Sequence, residues 1–369
     1  MEKRRFSRET YAGVRERVSG AGGDTSFAGR QHIKETKKLH PLVDPAGYGL
    51  VRRSLPRYSE LADGRLLLPN GIPMLDETLF DTTGSMGGNV ALAFESLPTM
   101  YDLLTAGDCP VFGRYDPQII NAIFGDVVDR FVCARSQAEM DEKIPEQLTL
   151  MVPEYAGGDG AEDPEYGLFG AAFLTDAFIN RYGLKSYHSL VTDADSHGRI
   201  DKSNLIRVFG DTVFDVVKEN GHSVTAKDLP TTKEIVDELK KRAHAFMIQV
   251  GDSSNVGRYW SEIYGVDHFV VIESTKYLPF VKAAIIGLTE GVFDLQFVSQ
   301  YLESVGCAKG VAKSIQRAVA GIPLGAQVIL PNFGKIPKKG SMFAKKQDLW
   351  PIADNASVVE EETNDVNWL

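Results

Sequence analysis

The chain has 369 residues, 43% of them apolar and 24% charged, enough for one large folded unit with appendages. The net charge of −10 argues against a general nucleic-acid binder. Three cysteines, Cys109, Cys133 and Cys307, are too few and too scattered for a disulfide framework or a zinc cluster. The charged N-terminus does not read as a secretory signal, and no apolar run approaches the roughly 18 residues needed to span a bilayer. A cytoplasmic protein is the expectation.

Residues 1–71 are basic and rich in Gly, Ser and Arg, without sustained periodicity. They read as an N-terminal arm, either for an acidic partner or as a strap on the main domain; sparse aromatic residues favour the strap. Residues 72–81 form the first expected strand. They lead into Phe80-Asp81-Thr82-Thr83-Gly84-Ser85-Met86, a Gly87-Gly88-Asn89 turn and a helix from Val90 to Ala106, to which Pro98 is an objection. The spacing then suggests a short helix over Gln118–Asp126, a strand over Arg130–Ser136 and an extension or partner of it over Glu146–Val152. The Gly-rich acidic loop Ala156–Asp163 opens a helix over Tyr166–Tyr182 and lacks the lysine of a phosphate-binding loop.

Tyr187–Val191 is a strand ending in Thr192-Asp193. Helices follow over Leu205–Asn220 and Thr232–Arg242, then a strand over Ala243–Val250 ending in Gly251-Asp252. A short helix over Tyr259–Tyr264, a strand over Val266–Ile272 and a helix over Leu278–Leu288 complete the alternation. Residues 291–330 read as two short helices with Cys307 at their turn. Residues 331–369 read as an extended strap and an acidic, disordered tail. Alternating strands and helices imply an α/β fold, a doubly wound, mostly parallel Rossmann-like sheet with helices on both faces. Ligands of such sheets bind beyond the carboxyl ends of the strands, where Asp81 and Asp193 fall.

Asp81, Thr83 and Ser85 alternate along one loop, so their oxygens can converge on a hard cation such as Mg²⁺, Mn²⁺ or Ca²⁺. The plainer alternative is a capped helix start. Asp193-Ala194-Asp195-Ser196-His197-Gly198 through Asp201 partly matches a calcium-binding EF-hand loop. Against that reading, position five is His197, position twelve is Asn204, and the preceding segment reads as a strand.

Asp81-Thr82-Thr83-Gly84-Ser85 resembles the metal-ion-dependent adhesion site (MIDAS) of von Willebrand factor A (VWA) domains, Asp-x-Ser-x-Ser, with Thr for the first Ser. Gly157-Gly158-Asp159-Gly160-Ala161-Glu162 loosely resembles the Gly-Gly-Gly-Asp-x-Pro-Glu second loop of one subgroup, with Pro164-Glu165 falling late. Ser189–Asp193 matches the strand ending in Thr-Asp, and Ile248–Asp252 matches the strand ending in Gly-Val-Gly-Asp. The resemblance covers residues 72–290, with 291–330 as a helical extension.

It implies a VWA-like domain with Asp81, Thr83, Ser85, Asp159 and Asp193 around a divalent cation, Mg²⁺ or else Mn²⁺ or Ca²⁺. It also implies a non-enzymatic adaptor whose cation accepts an Asp or Glu from a protein partner. In intracellular bacterial and phage members that role accompanies a separate AAA+ ATPase. Two alternatives stay open: an assembly protein whose metal only fixes loops, and a metal-assisted hydrolase using Asp81, Asp159 and Asp193 with His197 as base.

Overall fold

The computed structural model describes residues 12–14, 16, 26–105, 111–141, 143–155, 157 and 160–349. Asp159, Cys109, the Ser19–Gly23 stretch and the acidic tail lie outside the described residues.

The central sheet has six strands: β1 (Pro73–Asp81), β2 (Asp116–Phe124), β3 (Cys133–Arg135), β4 (Ser186–Thr192), β5 (Ala243–Val250) and β6 (Phe269–Ile272). Their order is β6-β5-β4-β1-β2-β3, parallel except for the antiparallel β2–β3 pair. The chain therefore winds outward from β1 in one direction, returns, and winds outward from β4 in the other. The two halves part between β1 and β4, and a crevice opens there at the strands' carboxyl ends.

Among the described residues the helices that flank the sheet include α1 (Gly88–Thr105), α2 (Pro164–Phe173), α3 (Lys202–Phe209), α4 (Val213–Glu219), α5 (Thr232–Arg242), α6 (Ser254–Tyr264), α7 (Leu278–Thr289), α8 (Val298–Ser304) and α9 (Lys309–Ala318). One core, with Met74 and Phe80 of β1, takes in α1, α7, α8 and α9. The other, with Leu79 of β1, takes in α2 to α6. The two cores follow from the period-two alternation of a strand covered on both faces. Cys307 is buried at the turn between α8 and α9.

Several segments differ from their sequence expectation. Gln118–Asp126 is not a helix but the greater part of β2, paired with β1 from Pro73–Asp116 to Asp81–Phe124. Its run of Ile119, Ile120, Ala122, Ile123 and Phe124 is buried on both faces, and a short continuous apolar run carries no period that separates strand from helix. Glu146–Val152 does not extend the sheet; Lys143–Leu148 is a helix, with Pro145 in its first turn, where a missing N–H costs nothing. The helix expected over Leu205–Asn220 is two, α3 and α4, broken where Gly210 sits at φ 84°. Helix α2 stops at Phe173, and Thr175–Asp176 pairs with Arg52–Arg53. Val266–His268 is a 3₁₀ turn, so β6 begins only at Phe269. Helix α1 runs through Pro98.

The described part of the N-terminal segment holds a helix, Phe27–Thr36, where no periodicity was expected, followed by short strand segments. Leu66–Leu68 pairs with Ser59–Glu60 on one side and Ser341–Phe343 of the C-terminal strap on the other. Arg52, one of the basic residues of this segment, is fully buried and donates to the carbonyls of Asp44, Gly47, Gly49, Arg135 and Ser136. It ties the Asp44–Gly49 stretch to the end of β3 and is not available to an acidic partner.

β1 carries three acidic side chains into the interior. Asp76 meets Lys282 of α7 on one face (2.7 and 2.8 Å), and Thr78 accepts from the same ammonium at 2.5 Å. Glu77 meets Arg135 of β3 on the other, at 2.6 and 2.8 Å. Burial pushes Asp76 up and Lys282 down, each opposed by the other's charge. Burial would also raise Glu77, but Arg135 outweighs it and holds the carboxyl low. Both pairs lie deep in the sheet, below the third acid, Asp81, which ends the strand.

Candidate metal centre

The site starts from the last residue of β1. Asp81 is fully buried, and its Oδ1 accepts from the Thr83 amide (2.8 Å) and the Thr83 hydroxyl (2.6 Å). Its Oδ2 accepts from Thr192 Oγ1 at 2.5 Å, across the β1–β4 crevice. Thr83 Oγ1 lies 3.2 Å from Ser85 Oγ, which donates to Asp193 Oδ1 at 2.8 Å. A line of polar groups therefore runs Thr192, Asp81, Thr83, Ser85, Asp193, in which the Thr83 and Ser85 hydroxyls each give their single proton to a carboxylate and face each other only as oxygens. Ser85 is exposed and Asp193 half-buried, so the line rises from the sheet to the surface.

Local geometry explains the convergence. Thr82 is anchored sideways to β2, its amide and hydroxyl both donating to the Phe124 carbonyl (2.9 and 2.8 Å). That turns Thr83 and Ser85 to the crevice, as alternation along an extended loop requires. Gly87 takes φ 48° before α1, a left-handed turn that glycine adopts without steric cost.

The second loop supplies Glu162. A Cβ placed on Gly157 would lie 3.5 Å from Glu162 Oε1 and 3.9 Å from Thr83 Cβ, so these side chains meet beside the first loop. Glu162 is buried, and its Oε2 has no hydrogen-bond partner among the described residues. A buried carboxylate oxygen without a donor is costly unless a proton or a cation meets it. Burial first, then the charge of Asp81, pushes Glu162 up to about 8, with Thr83 pulling the other way. Burial likewise raises Asp81 to about 6 against the hydrogen bonds of Thr192 and Thr83. Burial also raises Asp193, against its bond from Ser85.

Glu162 is placed by contacts between the second and third loops. Ala161–Glu162 pairs in parallel with Asp195–Ser196, and the His197 amide donates to the Glu162 carbonyl at 3.2 Å. Asp163 accepts from the Val127 amide (2.8 Å) and faces His197 Nδ1 (3.2 Å). Glu165, wholly buried in the first turn of α2, accepts from the Gly198 amide and the Thr232 hydroxyl, both at 2.7 Å. The two loops are thus one rigid unit.

Of the residues expected at the site, Asp81, Thr83, Ser85 and Asp193 are brought together, and Asp159 lies outside the described residues. Glu162 and Thr192 join them. A sequence signal for Glu162 exists: Glu162-Asp163-Pro164-Glu165 fits Asp-x-Pro-Glu three residues later than the register that places Asp159, with Glu for Asp. The EF-hand reading does not hold. Asp201 caps α3 by accepting from the Ser203 and Asn204 amides, Asp195 sits in a short strand, and Asp193 turns to Ser85. His197 pairs with Asp163 outside the Thr192-to-Asp193 line.

The donors suit a hard dication: carboxylate and hydroxyl oxygens, no sulfur and no imidazole among them, and an unmatched Glu162 oxygen. Carboxylates alone do not make the centre, since among the described residues no three His, Cys, Asp or Glu side chains converge tightly enough to hold a metal. The hydroxyls of Thr83 and Ser85 are needed to complete it.

Protons and metal compete for these oxygens, which fixes the sign of a pH effect. Raised carboxyl values mean that the metal-free fold is favoured with the groups protonated. Their contribution to stability is therefore lost as pH rises through about 6 for Asp81 and about 8 for Glu162. Metal requires the deprotonated forms, so Mg²⁺ affinity should rise over the same window. Calorimetric Tm shifts on adding Mg²⁺ should be larger at pH 8 than at pH 6; equal shifts would contradict the assignment of these two carboxylates.

No known family profile and no curated protein matches the chain. Solved structures give partial matches. Proximal thread matrix protein 1 from the mussel byssus aligns at 13% identity and a TM-score of 0.36, over 60% of this chain and 48% of that one. A further structure of that protein, with a zinc-occupied MIDAS motif, aligns at 14% identity and 0.36. The pilus adhesin SpaC of Lactobacillus rhamnosus GG aligns at 15% identity and 0.39, over 61% of this chain and 32% of that one. The chain thus spans less than half the length of these proteins. At such scores the α/β architecture and the site stand on this chain's own strand order and hydrogen bonds.

Proposed function

We propose that the chain is a divalent-metal-dependent protein-interaction module of VWA type that works without catalytic turnover. The observation that carries the reading is the line of oxygens Thr192–Asp81–Thr83–Ser85–Asp193, rooted in a buried carboxylate and rising through the exposed Ser85 to the half-buried Asp193 at the sheet's switch point. Asp81, Thr83, Ser85, Glu162 and Asp193 would hold the ion, directly or through water. With at least one of these carboxylates acting through water, a hard dication held there keeps a coordination position that one further carboxylate can fill. The chain's own residues do the rest: β1 and β4 fix the floor, the paired second and third loops fix Glu162, and Ser85 marks the open side.

The partner is then a protein presenting Asp or Glu, and Mg²⁺ is the ion proposed. An adaptor working in the cytoplasm beside a separate AAA+ ATPase is the finer form of this reading, supported by the motif resemblance. Among the described residues no helix is long and apolar enough to cross a membrane. Affinity capture with the full chain as bait tests the reading. Partners should be recovered in Mg²⁺ and lost both in EDTA and with Asp81→Ala. Recovery unchanged by either would leave an assembly protein with a loop-fixing metal, and turnover of phosphoesters or peptides would favour the hydrolase alternative.

A further inference from the structure

A cavity of about 120 Å³ opens on the flank of the sheet, where Lys38–Pro45 passes the turn between β2 and β3 and the end of α3. Cys133 in its lining pairs with Phe124, which pairs with Asp81, so the cavity lies two strands from the metal centre. At about 4.8 Å per strand that is roughly 10 Å along the same rim. None of its lining residues belongs to the metal centre.

The lining has an apolar base and a cationic mouth. Leu39, Val132 and Val208 are buried, whereas Lys38, Arg130 and Arg207 are exposed. Against these three cations the lining holds one acid, Asp44, whose Oδ1 already accepts from the Ala46 amide at 2.9 Å. Lys38, Arg130 and Arg207 form no ion pair among the described residues. The charge of Asp129 reaches Arg207, but its Oδ2 is turned inward to the Asp126 amide at 2.8 Å. In a chain of net charge −10, such a mouth is a local reversal of sign that favours an anion.

The two guanidiniums are held in place from behind. Arg130 Nη2 donates to the Lys37 carbonyl at 2.8 Å, and the group lies over the Phe131 ring, 5.2 Å from its centroid. Arg207 Nη2 donates to the Val127 carbonyl at 2.7 Å. Each spends one of its N–H donors on the backbone and keeps the rest of its fork for a ligand. Size and charge then choose that ligand. The cavity is well below the roughly 300–1,000 Å³ that encloses a whole small molecule, so it takes one chemical group. A planar carboxylate is matched by a single guanidinium. A phosphate monoester has three terminal oxygens and close to two charges, which suits donors arriving from three separate segments.

We propose that this cavity binds a phosphate monoester, its three terminal oxygens shared among Lys38, Arg130 and Arg207 and its ester carbon resting against Val132 and Val208. The site needs no metal, so it stands or falls apart from the metal-binding reading.

The test titrates the full chain in EDTA by calorimetry, so that no cation at the metal centre can report phosphate binding. The probes are inorganic phosphate, glycerol 3-phosphate, a capped Ala-phosphoserine-Ala peptide, and acetate. A monoester should saturate one site and bind about tenfold or more tightly than acetate, as added charge-assisted contacts require. Tighter binding of the peptide assigns the group to a phosphorylated side chain, and tighter binding of glycerol 3-phosphate assigns it to a free small molecule. Equal binding of the two leaves the phosphate group as all that is read, and each of these results supports the site. Arg130→Gln and Arg207→Gln should each weaken the monoester about tenfold. Arg130→Lys and Arg207→Lys keep the charge and should lose less, and Lys233→Gln, on the exposed side of α5, should lose nothing. Urea midpoints separate a lost site from a lost fold: the monoester should raise the midpoint of the unaltered chain and not that of Arg207→Gln. No saturable uptake by about 10 mM, weaker than any working affinity, overturns the proposal. Acetate binding as tightly as the monoesters, both monoesters excluded while inorganic phosphate binds, or glutamine variants that bind like the unaltered chain would overturn it equally.

Discussion

Asp81→Ala should abolish divalent-metal binding, leaving a Kd weaker than about 10⁻³ M, the weak end of natural calcium sites. The domain should stay folded but not unharmed. Asp81 is the acceptor for the Thr83 amide, the Thr83 hydroxyl and the Thr192 hydroxyl, and alanine leaves these donors without it in a buried place. An orphaned buried donor costs about 1–3 kcal/mol. Relief of charge repulsion works the other way, because Asp193 helps to raise Asp81, but it comes last among the causes, behind burial. A net loss of stability is expected. Asp81→Asn keeps one acceptor oxygen and should lose the metal with a smaller stability change. Isothermal titration with Mg²⁺ and Mn²⁺ and urea unfolding of both variants measure this. Metal affinity unchanged in either variant would remove Asp81 from the site.

Lys282→Met should destabilise the fold by about 3–5 kcal/mol, the usual consequence of breaking a buried ion pair from one side. Lys282 and Asp76 are both essentially without solvent contact, and the same ammonium serves Thr78. Removing it strands the Asp76 carboxyl between β1 and α7, where burial already raises its proton affinity. Asp76 would then be held neutral, and the added cost should grow as pH rises above the ordinary carboxyl range. Adding Asp76→Asn to Lys282→Met removes the stranded charge and should restore much of the loss. Urea midpoints at pH 7 for the two single variants and the double variant give the coupling. A loss below about 1 kcal/mol for Lys282→Met, against the range above, would mean that the pair is solvated or dispensable.

What the sequence by itself determined is local. The strand–loop–helix around Asp81 was legible because an apolar strand, alternating oxygens and glycines are all neighbours in the chain. Thr192-Asp193 was legible as a strand end, and α5 is announced by Thr231 and Glu234, which form a reciprocal cap. The alternation of strands and helices was enough for a doubly wound sheet. Tertiary structure decided the rest. β2 is a strand because β1 on one side and β3 on the other take up its backbone groups; its unbroken apolar run carries no period of its own. Glu162 enters the site because a two-residue pairing joins it to Ser196, far along the chain, and no local pattern encodes that contact. Arg52, basic and near the start, looked like a surface charge until five carbonyls enclosed it, three from the neighbouring Asp44–Gly49 stretch and two from the distant Arg135 and Ser136. Periodicity reports which face of an element is apolar, whereas the choice of neighbour is made by packing between segments remote in sequence. The metal centre depends on that choice, since its oxygens come from three loops that only the folded sheet brings to one rim.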